Sequence, residues 1–82
     1  MTLLTTEESA LMLADHHIRE ALQRIAMQEK RVHEQLQCGQ HSLQAEELLR
    51  LMLDALCLFA EHRRQIEEEL GRERRLLKNL GR

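Results

Sequence analysis

The chain has 82 residues, a formal net charge of −2, no tryptophan or tyrosine and a single phenylalanine. Because the charge is nearly balanced and too few aromatic side chains are present to stack bases, we expect no nucleic-acid partner. A domain of this size has a marginal core of its own and usually needs a disulfide, a metal ion or a partner chain.

The composition predicts an all-α fold. Proline is absent, and the strong helix formers leucine, glutamate, glutamine, arginine and alanine dominate the sequence. The cap residues, the apolar repeats and the glycine turn predict one domain, residues 1–82, folded as an antiparallel two-helix hairpin that resembles a coiled coil. We place helix 1 at about residues 6–37, the turn at 38–41, helix 2 at about 42–70 and a basic tail at 71–82.

Helix 1 has a start signal and a periodic apolar face. Thr5 followed by Glu8 fits a capping box, and Thr6 is the alternative N-cap. One apolar line recurs every seven residues: Leu11, Ile18, Ile25 and Val32. Other apolar residues widen this line into a stripe: Ala14, Ala21, Leu22 and Leu36. Such a stripe is typical of a helix packed against another helix.

A short turn follows helix 1. Gly39 predicts the end of that helix, because glycine accepts the left-handed conformation that closes a last turn. Ser42 is the best N-cap for helix 2. Since short connections join antiparallel neighbours, the two helices should lie side by side in opposite directions.

Helix 2 carries two apolar lines of its own. The first is formed by Ala45, Met52, Phe59 and Ile66. The second is formed by Leu49, Leu56 and Leu70, with Arg63 as an interruption. In an antiparallel hairpin these lines predict four facing pairs: Val32 with Leu49, Ile25 with Leu56, Leu22 with Phe59, and Leu11 with Leu70.

The middle of helix 2 is apolar on every side. Of the thirteen residues 48–60, eleven are apolar, and only Arg50 and Asp54 are not. A helix that is apolar all round is buried all round, and helix 1 can cover only one side of it. We therefore predict a homodimer that forms a four-helix bundle. The predicted interface residues are Leu48, Leu51, Met52, Leu53, Ala55, Leu58 and Phe59.

The tail is the one asymmetric charge cluster. Residues 71–82 hold one acid and five bases, with leucines at 76, 77 and 80. Gly71 could end or loosen helix 2, and the alternative is that the leucine pattern continues the helix through the tail. Bases at a helix C-terminus are favourable with the helix dipole, so a solvated end is the simplest interpretation. The alternative is contact with an acidic partner, phosphate or an anionic membrane surface. The residues for such an anion or partner contact are Arg72, Arg74, Arg75 and Lys78.

Two groups of residues are candidates for a metal site. Cys38 and His41 have the spacing of half a zinc site, but zinc needs three or four protein ligands. His16, His17 and His62 are predicted to share one end of the bundle, yet the Glu-x-x-His spacing of di-iron bundles is absent. We therefore predict no metal ion and no cofactor.

The sequence offers no catalytic group. Its two serines, Ser9 and Ser42, are explained as helix-start residues, and there is no glycine-rich phosphate loop. Cys57 is predicted to be buried and inert, and Cys38 to be exposed. The predicted hairpin holds the two cysteines too far apart for a disulfide. We expect a protein that is not an enzyme.

We expect no signal peptide. The N-terminus has no basic segment followed by an apolar one, as a signal peptide would have. The apolar residues 48–60 are too few to span a bilayer and include two charges. We expect no membrane span and a cytoplasmic location.

Several short motifs carry a resemblance to a known group. They are His17-Ile18-x-Glu20-Ala21, Arg24-Ile25-x-x-Gln28-Glu29, Gly39 with Ser42, Ala45-x-x-Leu48-Leu49 and His62-Arg63-x-x-Ile66. Over about residues 14–66 the pattern resembles a group of short uncharacterised bacterial helical-hairpin proteins. The resemblance implies a hairpin and no particular activity. Cys38, His16 and the basic tail depart from the pattern of the group.

The leading functional prediction is a small protein–protein interaction module that self-associates through helix 2. One alternative is an obligate partner of a different protein, in the manner of the small hairpin co-chaperones of type III secretion, which the chain resembles in size and architecture. The other is a metal- or redox-responsive regulator. Its candidate residues are Cys38, His41, His16, His17 and His62.

Overall fold

The protein is a hairpin of two long helices lying side by side. The computed structural model describes residues 5–81, in which α1 spans Thr6–Gln37 and α2 spans Leu43–Leu80. The helices are antiparallel and pack against each other, which confirms the predicted all-α hairpin. The molecule measures 68 × 25 × 14 Å. Since one helix with its side chains is about 10–12 Å across, the two helices form a single layer.

Both predicted N-caps are present. The Thr5 hydroxyl accepts a hydrogen bond from the backbone N–H of Glu8 at 3.1 Å. The Ser42 hydroxyl accepts one from the N–H of Ala45, also at 3.1 Å. Each bond satisfies a donor that has no partner within the first turn, which explains why the helices begin where they do.

The first helix ends at the predicted glycine. Gly39 has a φ of +75°, in the left-handed region. Its N–H donates to the carbonyl of Leu36 at 3.1 Å, and the N–H of Gln40 donates to the carbonyl of Gln35 at 2.8 Å. These two bonds form a Schellman motif, which satisfies carbonyls of the last turn and reverses the chain direction.

The seam between the helices repeats every seven residues, as in a coiled coil. In α1 the residues turned toward α2 and withdrawn from solvent are Leu11, Ala14, Ile18, Ala21, Ile25, Gln28, Val32 and Gln35. In α2 they are Ala45, Leu49, Met52, Leu56, Arg63, Ile66, Leu70 and Glu73. The two apolar lines predicted for α2 therefore lie against α1, except that Phe59 of the first line is 37% exposed at the edge of the seam.

Two residues assigned to the seam of α1 do not lie in it. Leu22 is 50% exposed and Leu36 is 51% exposed, so the prediction that they widen the stripe was wrong. Ala21, not Leu22, lines the same groove as Phe59. The reason is geometric: each step along a helix turns about 100°, which carries Leu22 from the seam onto the flank of the hairpin.

An ion pair explains the interruption of the second apolar line. The Arg63 guanidinium donates to Asp15 across the seam and also lies 2.8 Å from Glu67 on its own helix. These bonds raise the pKa of Arg63, with the hydrogen bond to Asp15 as the largest cause. A charged side chain is tolerated at this seam position because carboxylates on both helices bind it.

The second helix is longer than predicted. The sequence placed its end at about residue 70, whereas α2 continues through Gly71 to Leu80. Gly71 lies in ordinary helical backbone, since Gly39 has the one positive φ among residues 5–81. A glycine inside a helix costs only about 1 kcal/mol, and the residues after it are mostly strong helix formers.

The core is very small. Within the described part of the chain, the buried side chains are Ala14, Ile25, Gln28, Ile66 and Leu70. The radius of gyration is 19.0 Å, whereas a compact domain of this length has about 12 Å. Neither helix contains a stretch that is long and apolar enough to cross a bilayer, as judged over residues 5–81.

Candidate interaction surface

One side of α2 is a charged ladder that faces solvent. Acidic residues recur along it every seven positions: Glu47, Asp54, Glu61 and Glu68. Arg50 lies 3.0 Å from Glu47 and Arg64 lies 3.0 Å from Glu61. Hydrogen bonds from these two guanidinium groups are the largest cause of the lowered pKa of Glu47 and of Glu61. The ladder therefore lies on the side of α2 opposite the seam, and its carboxylates are paired with arginines of the same helix.

An apolar surface lies between the ladder and the seam. We call it the leucine face; its members are Leu48, Leu51, Met52, Ala55, Leu58 and Phe59. Their spacing of three and four residues places them on one side of α2. Leu51 is 52% exposed and Leu58 is 71% exposed, while Met52 and Ala55 are half-buried beside the seam. α1 leaves this side of α2 open to solvent.

α1 extends the leucine face sideways. A shallow groove between the helices is lined by Ala21, Arg24, Met52, Ala55 and Phe59. Exposed Met27 follows Arg24 by one turn, and exposed Leu13 precedes His17 by one turn. The His17 ring lies 5.8 Å from the Phe59 ring, between centroids. One broad side of the layer therefore presents apolar groups from both helices.

One residue of the predicted interface lies elsewhere. Leu53 is exposed, but it is about 160° around α2 from Leu51, on the opposite flank. Leu22 of α1 is likewise about 160° around its helix from Arg24, which lines the groove. The predicted set therefore divides: six of its members share one side of the hairpin, and Leu53 belongs to the other.

The residues considered for metal binding have mostly separate partners. His16 and Glu20 form an ion pair on α1, and the His41 ring lies 3.0 Å from Glu46. Cys38 and Cys57 are free thiols, both exposed, so the prediction that Cys57 is buried does not hold for this single chain. No group of three His, Cys, Asp or Glu side chains suited to a metal ion occurs within residues 5–81.

The basic tail is the last part of α2. Its cations are exposed: Arg72, Arg74, Arg75 and Lys78. Glu73 forms a shallow depression with three exposed leucines: Leu76, Leu77 and Leu80. The tail is therefore an amphipathic extension of α2, with positive charge on the sides that do not carry the leucines.

Sequence reasoning missed three polar features of the hairpin. Gln28 is buried in the seam, Asp15 binds Arg63 across it, and Glu7 faces Glu73 at the open end. A signal for the first was available, because Gln28 lies seven residues after Ala21 and three after Ile25. Its polarity suggested the solvent face, whereas its spacing indicated the seam.

No protein-family model, curated protein or solved structure matches this chain. The resemblance to short bacterial hairpin proteins therefore stays a prediction. The class that the fold defines is an elongated helical hairpin with many exposed leucines.

Proposed function

We propose that this protein is a small, non-catalytic interaction module that self-associates through the leucine face into a homodimeric four-helix bundle. The observation that carries the proposal is the contiguous apolar surface on one broad side of a single helical layer. Exposed apolar patches of this kind on water-soluble chains mark interaction sites. A second layer of two helices is the simplest cover for the leucine face, and it leaves Leu53 on the opposite flank exposed.

The surface area supports an interface of ordinary size. The chain exposes 6830 Å², whereas a compact monomer of 9.7 kDa would expose about 5,100 Å². A standard protein–protein interface buries about 800 Å² on each partner. The excess of about 1,700 Å² on this hairpin is ample for such an interface on one broad side.

Charge distribution also favours this side. The acidic ladder and its arginines lie on the outer side of α2, so no member of the leucine face is charged. Arg24 of α1, which lines the groove beside this face, is paired with Glu20. Burying apolar groups alone avoids the cost of desolvating charges. A twofold dimer is self-complementary, so an apolar surface can pack against its own copy.

The test compares two leucines of equal exposure on opposite sides. Leu51, on the leucine face, is 52% exposed, and Leu36, on the other flank, is 51% exposed. We expect Leu51→Glu to give a monomer of the chain mass, 9.7 kDa, because it places a charge in the interface. The parent and Leu36→Glu should remain dimers of twice that mass. Light scattering over a dilution series measures the three proteins.

Each other result has a definite meaning. A fully helical parent monomer at all concentrations would reject self-association. If Leu36→Glu dissociates and Leu51→Glu does not, the opposite flank is the interface. If the parent aggregates or lacks helix when purified alone, the same surface serves a different protein, as the co-chaperone alternative requires. The opposite flank, with exposed Leu22, Leu36 and Leu53, is the observation that favours this second candidate.

A further inference from the structure

Two histidines lie at one end of the leucine face, one from each helix. The His17 ring of α1 lies 5.8 Å from the Phe59 ring at an interplanar angle of 36°. His62 of α2 follows Phe59 by three residues and Ala55 by seven, which continues the line that Leu48 and Ala55 begin. Both histidines are exposed in the single chain. A second layer packed on the leucine face would extend over them.

The carboxylates near His17 already have hydrogen-bond or ion-pair partners. On α1, Glu20 binds both His16 and Arg24. Asp15 binds Arg63, which projects from α2. A protonated His17 would therefore meet bound carboxylates, together with the positive charges that bind them.

The neighbours of His62 are mostly uncharged. The positions one turn away from it along α2 are Leu58, Phe59, Gln65 and Ile66. Glu69 lies about two turns further on, and Arg63 is the adjacent residue and binds Asp15. If the leucine face of a second copy covers this end, the side chains that it brings to His62 are apolar. A charge on His62 would thus be desolvated without a close partner.

We infer that pH controls the self-association, because protonation of His17 and His62 places positive charge at the end of the leucine face. The inference rests on the proposed homodimer. A neutral imidazole packs against leucine and phenylalanine as an amphipathic ring, whereas an imidazolium in an apolar contact loses hydration. Histidine is the side chain whose charge ordinarily changes between about pH 5 and pH 8, so the dimer should form at the upper end of that range and weaken at the lower end.

The test measures the dimer dissociation constant by sedimentation equilibrium at about pH 8 and about pH 5.5. We expect the parent to be a dimer at the higher pH and its dissociation constant to rise at least about tenfold at the lower pH. The double variant His17→Gln with His62→Gln, which cannot acquire these charges, should have the same dissociation constant at both pH values. Helicity recorded under the same conditions separates dissociation from unfolding.

The matched control is His33→Gln, an exposed histidine of α1 away from the leucine face. It should keep the pH dependence of the parent. A parent that is monomeric even at the higher pH would reject the proposed homodimer and this inference with it. A parent dimer with equal affinity at both pH values would overturn only the inference, as would a double variant that still weakens at low pH.

Discussion

Gln28 shows how one polar residue can lie in an apolar seam. Its side chain is 4% exposed, and Nε2 donates to the backbone carbonyl of Ala45 at 2.9 Å. That carbonyl belongs to the first turn of α2, so the bond links the middle of one helix to the start of the other. Because a buried amide must keep its partner, a shift of the helices along each other would leave it unsatisfied. Gln28 thus helps to define the register of the hairpin.

We predict that Gln28→Ala lowers the free energy of unfolding by about 1–3 kcal/mol, because it removes both the bond to Ala45 and buried volume. Gln23→Ala, at an exposed position of the same helix, should change it by less than about 0.5 kcal/mol. Urea titration at one fixed protein concentration measures both. If the two variants lost the same free energy of unfolding, Gln28 would stabilise the hairpin no more than a surface residue does.

Glu73 is a residue whose charge opposes folding. Desolvation is the largest cause that raises its pKa, followed by the charge of Glu7 across the hairpin, a hydrogen bond with Glu7 and the charge of Glu69. A carboxyl whose pKa is raised on folding contributes stability that is fully present below its unfolded pKa. This contribution is lost as pH rises through the folded pKa. At neutral pH the ionised group therefore destabilises the open end of the hairpin.

We predict that Glu73→Gln raises the melting temperature at neutral pH. Its advantage shrinks as pH falls through the raised pKa of the folded parent and is lost below the ordinary glutamate pKa of about 4.3, where the parent carboxyl is also protonated. Glu61→Gln should act in the opposite direction. Its pKa is lowered by Arg64, so its stabilisation is present at neutral pH and is lost in acid. Thermal melts of the three proteins across this pH range measure the effect. If Glu73→Gln melted below the parent at neutral pH, the repulsion from Glu7 would be negligible.

The two helices show how local signals act at the scale of a whole element. Start and stop residues predicted α1 almost completely, because a cap hydroxyl or a left-handed glycine acts on backbone groups only a few residues away. The sequence left the end of α2 open, since Gly71 resembled a stop signal while the leucines after it favoured continuation. A glycine ends a helix only when it adopts a left-handed conformation, and the residues around Gly71 favour continuation instead.

The two glycines should respond in opposite ways to alanine. Gly39→Ala places a side chain in the left-handed region, and we expect the free energy of unfolding to fall by about 1 kcal/mol. No atom lies within 4 Å of the added Cβ, so the cost comes from the backbone alone. Gly71→Ala should raise the same free energy by about 0.5–1 kcal/mol, since it removes backbone entropy from the unfolded chain.

Chemical denaturation of both variants at equal concentration tests this pair. The Cβ added at Gly71 would meet the Arg75 guanidinium at 3.6 Å, an ordinary contact. Destabilisation by both substitutions would mean that Gly71 is needed for a bend or a close contact. Neutrality of Gly39→Ala would mean that the turn can close without the left-handed conformation.

At the scale of the whole molecule, the hairpin exposes many large apolar side chains and buries only a few. Four apolar side chains and Gln28 are the buried ones among residues 5–81. We therefore predict that thermal stability depends on protein concentration, because association of the folded chains raises the free energy of unfolding. A tenfold dilution changes that contribution by about 1.4 kcal/mol and should lower the melting midpoint.

Circular dichroism melts over a hundredfold range of concentration measure this dependence. Leu51→Glu, which removes the interface in the proposed dimer, should melt at a lower temperature that no longer varies with concentration. A parent midpoint that is constant over the range would indicate that the two-helix layer is stable alone, and the leucine face would then need another explanation.

The sequence alone determined the helical content, the caps, the turn at Gly39 and the antiparallel order, because each depends on interactions a few residues apart or on a strict seven-residue repeat. It also predicted the apolar stretch in α2. It did not determine which side of the hairpin each exposed leucine occupies, since the tilt and register of two helices depend on contacts between distant residues. Spacing separates Leu51 from Leu53 around α2, but only the packed structure showed which side of α1 adjoins each of them, through the groove that Arg24 and Ala55 line. It also decided which polar side chains meet across the seam, because Gln28 and Arg63 find partners far away in the chain.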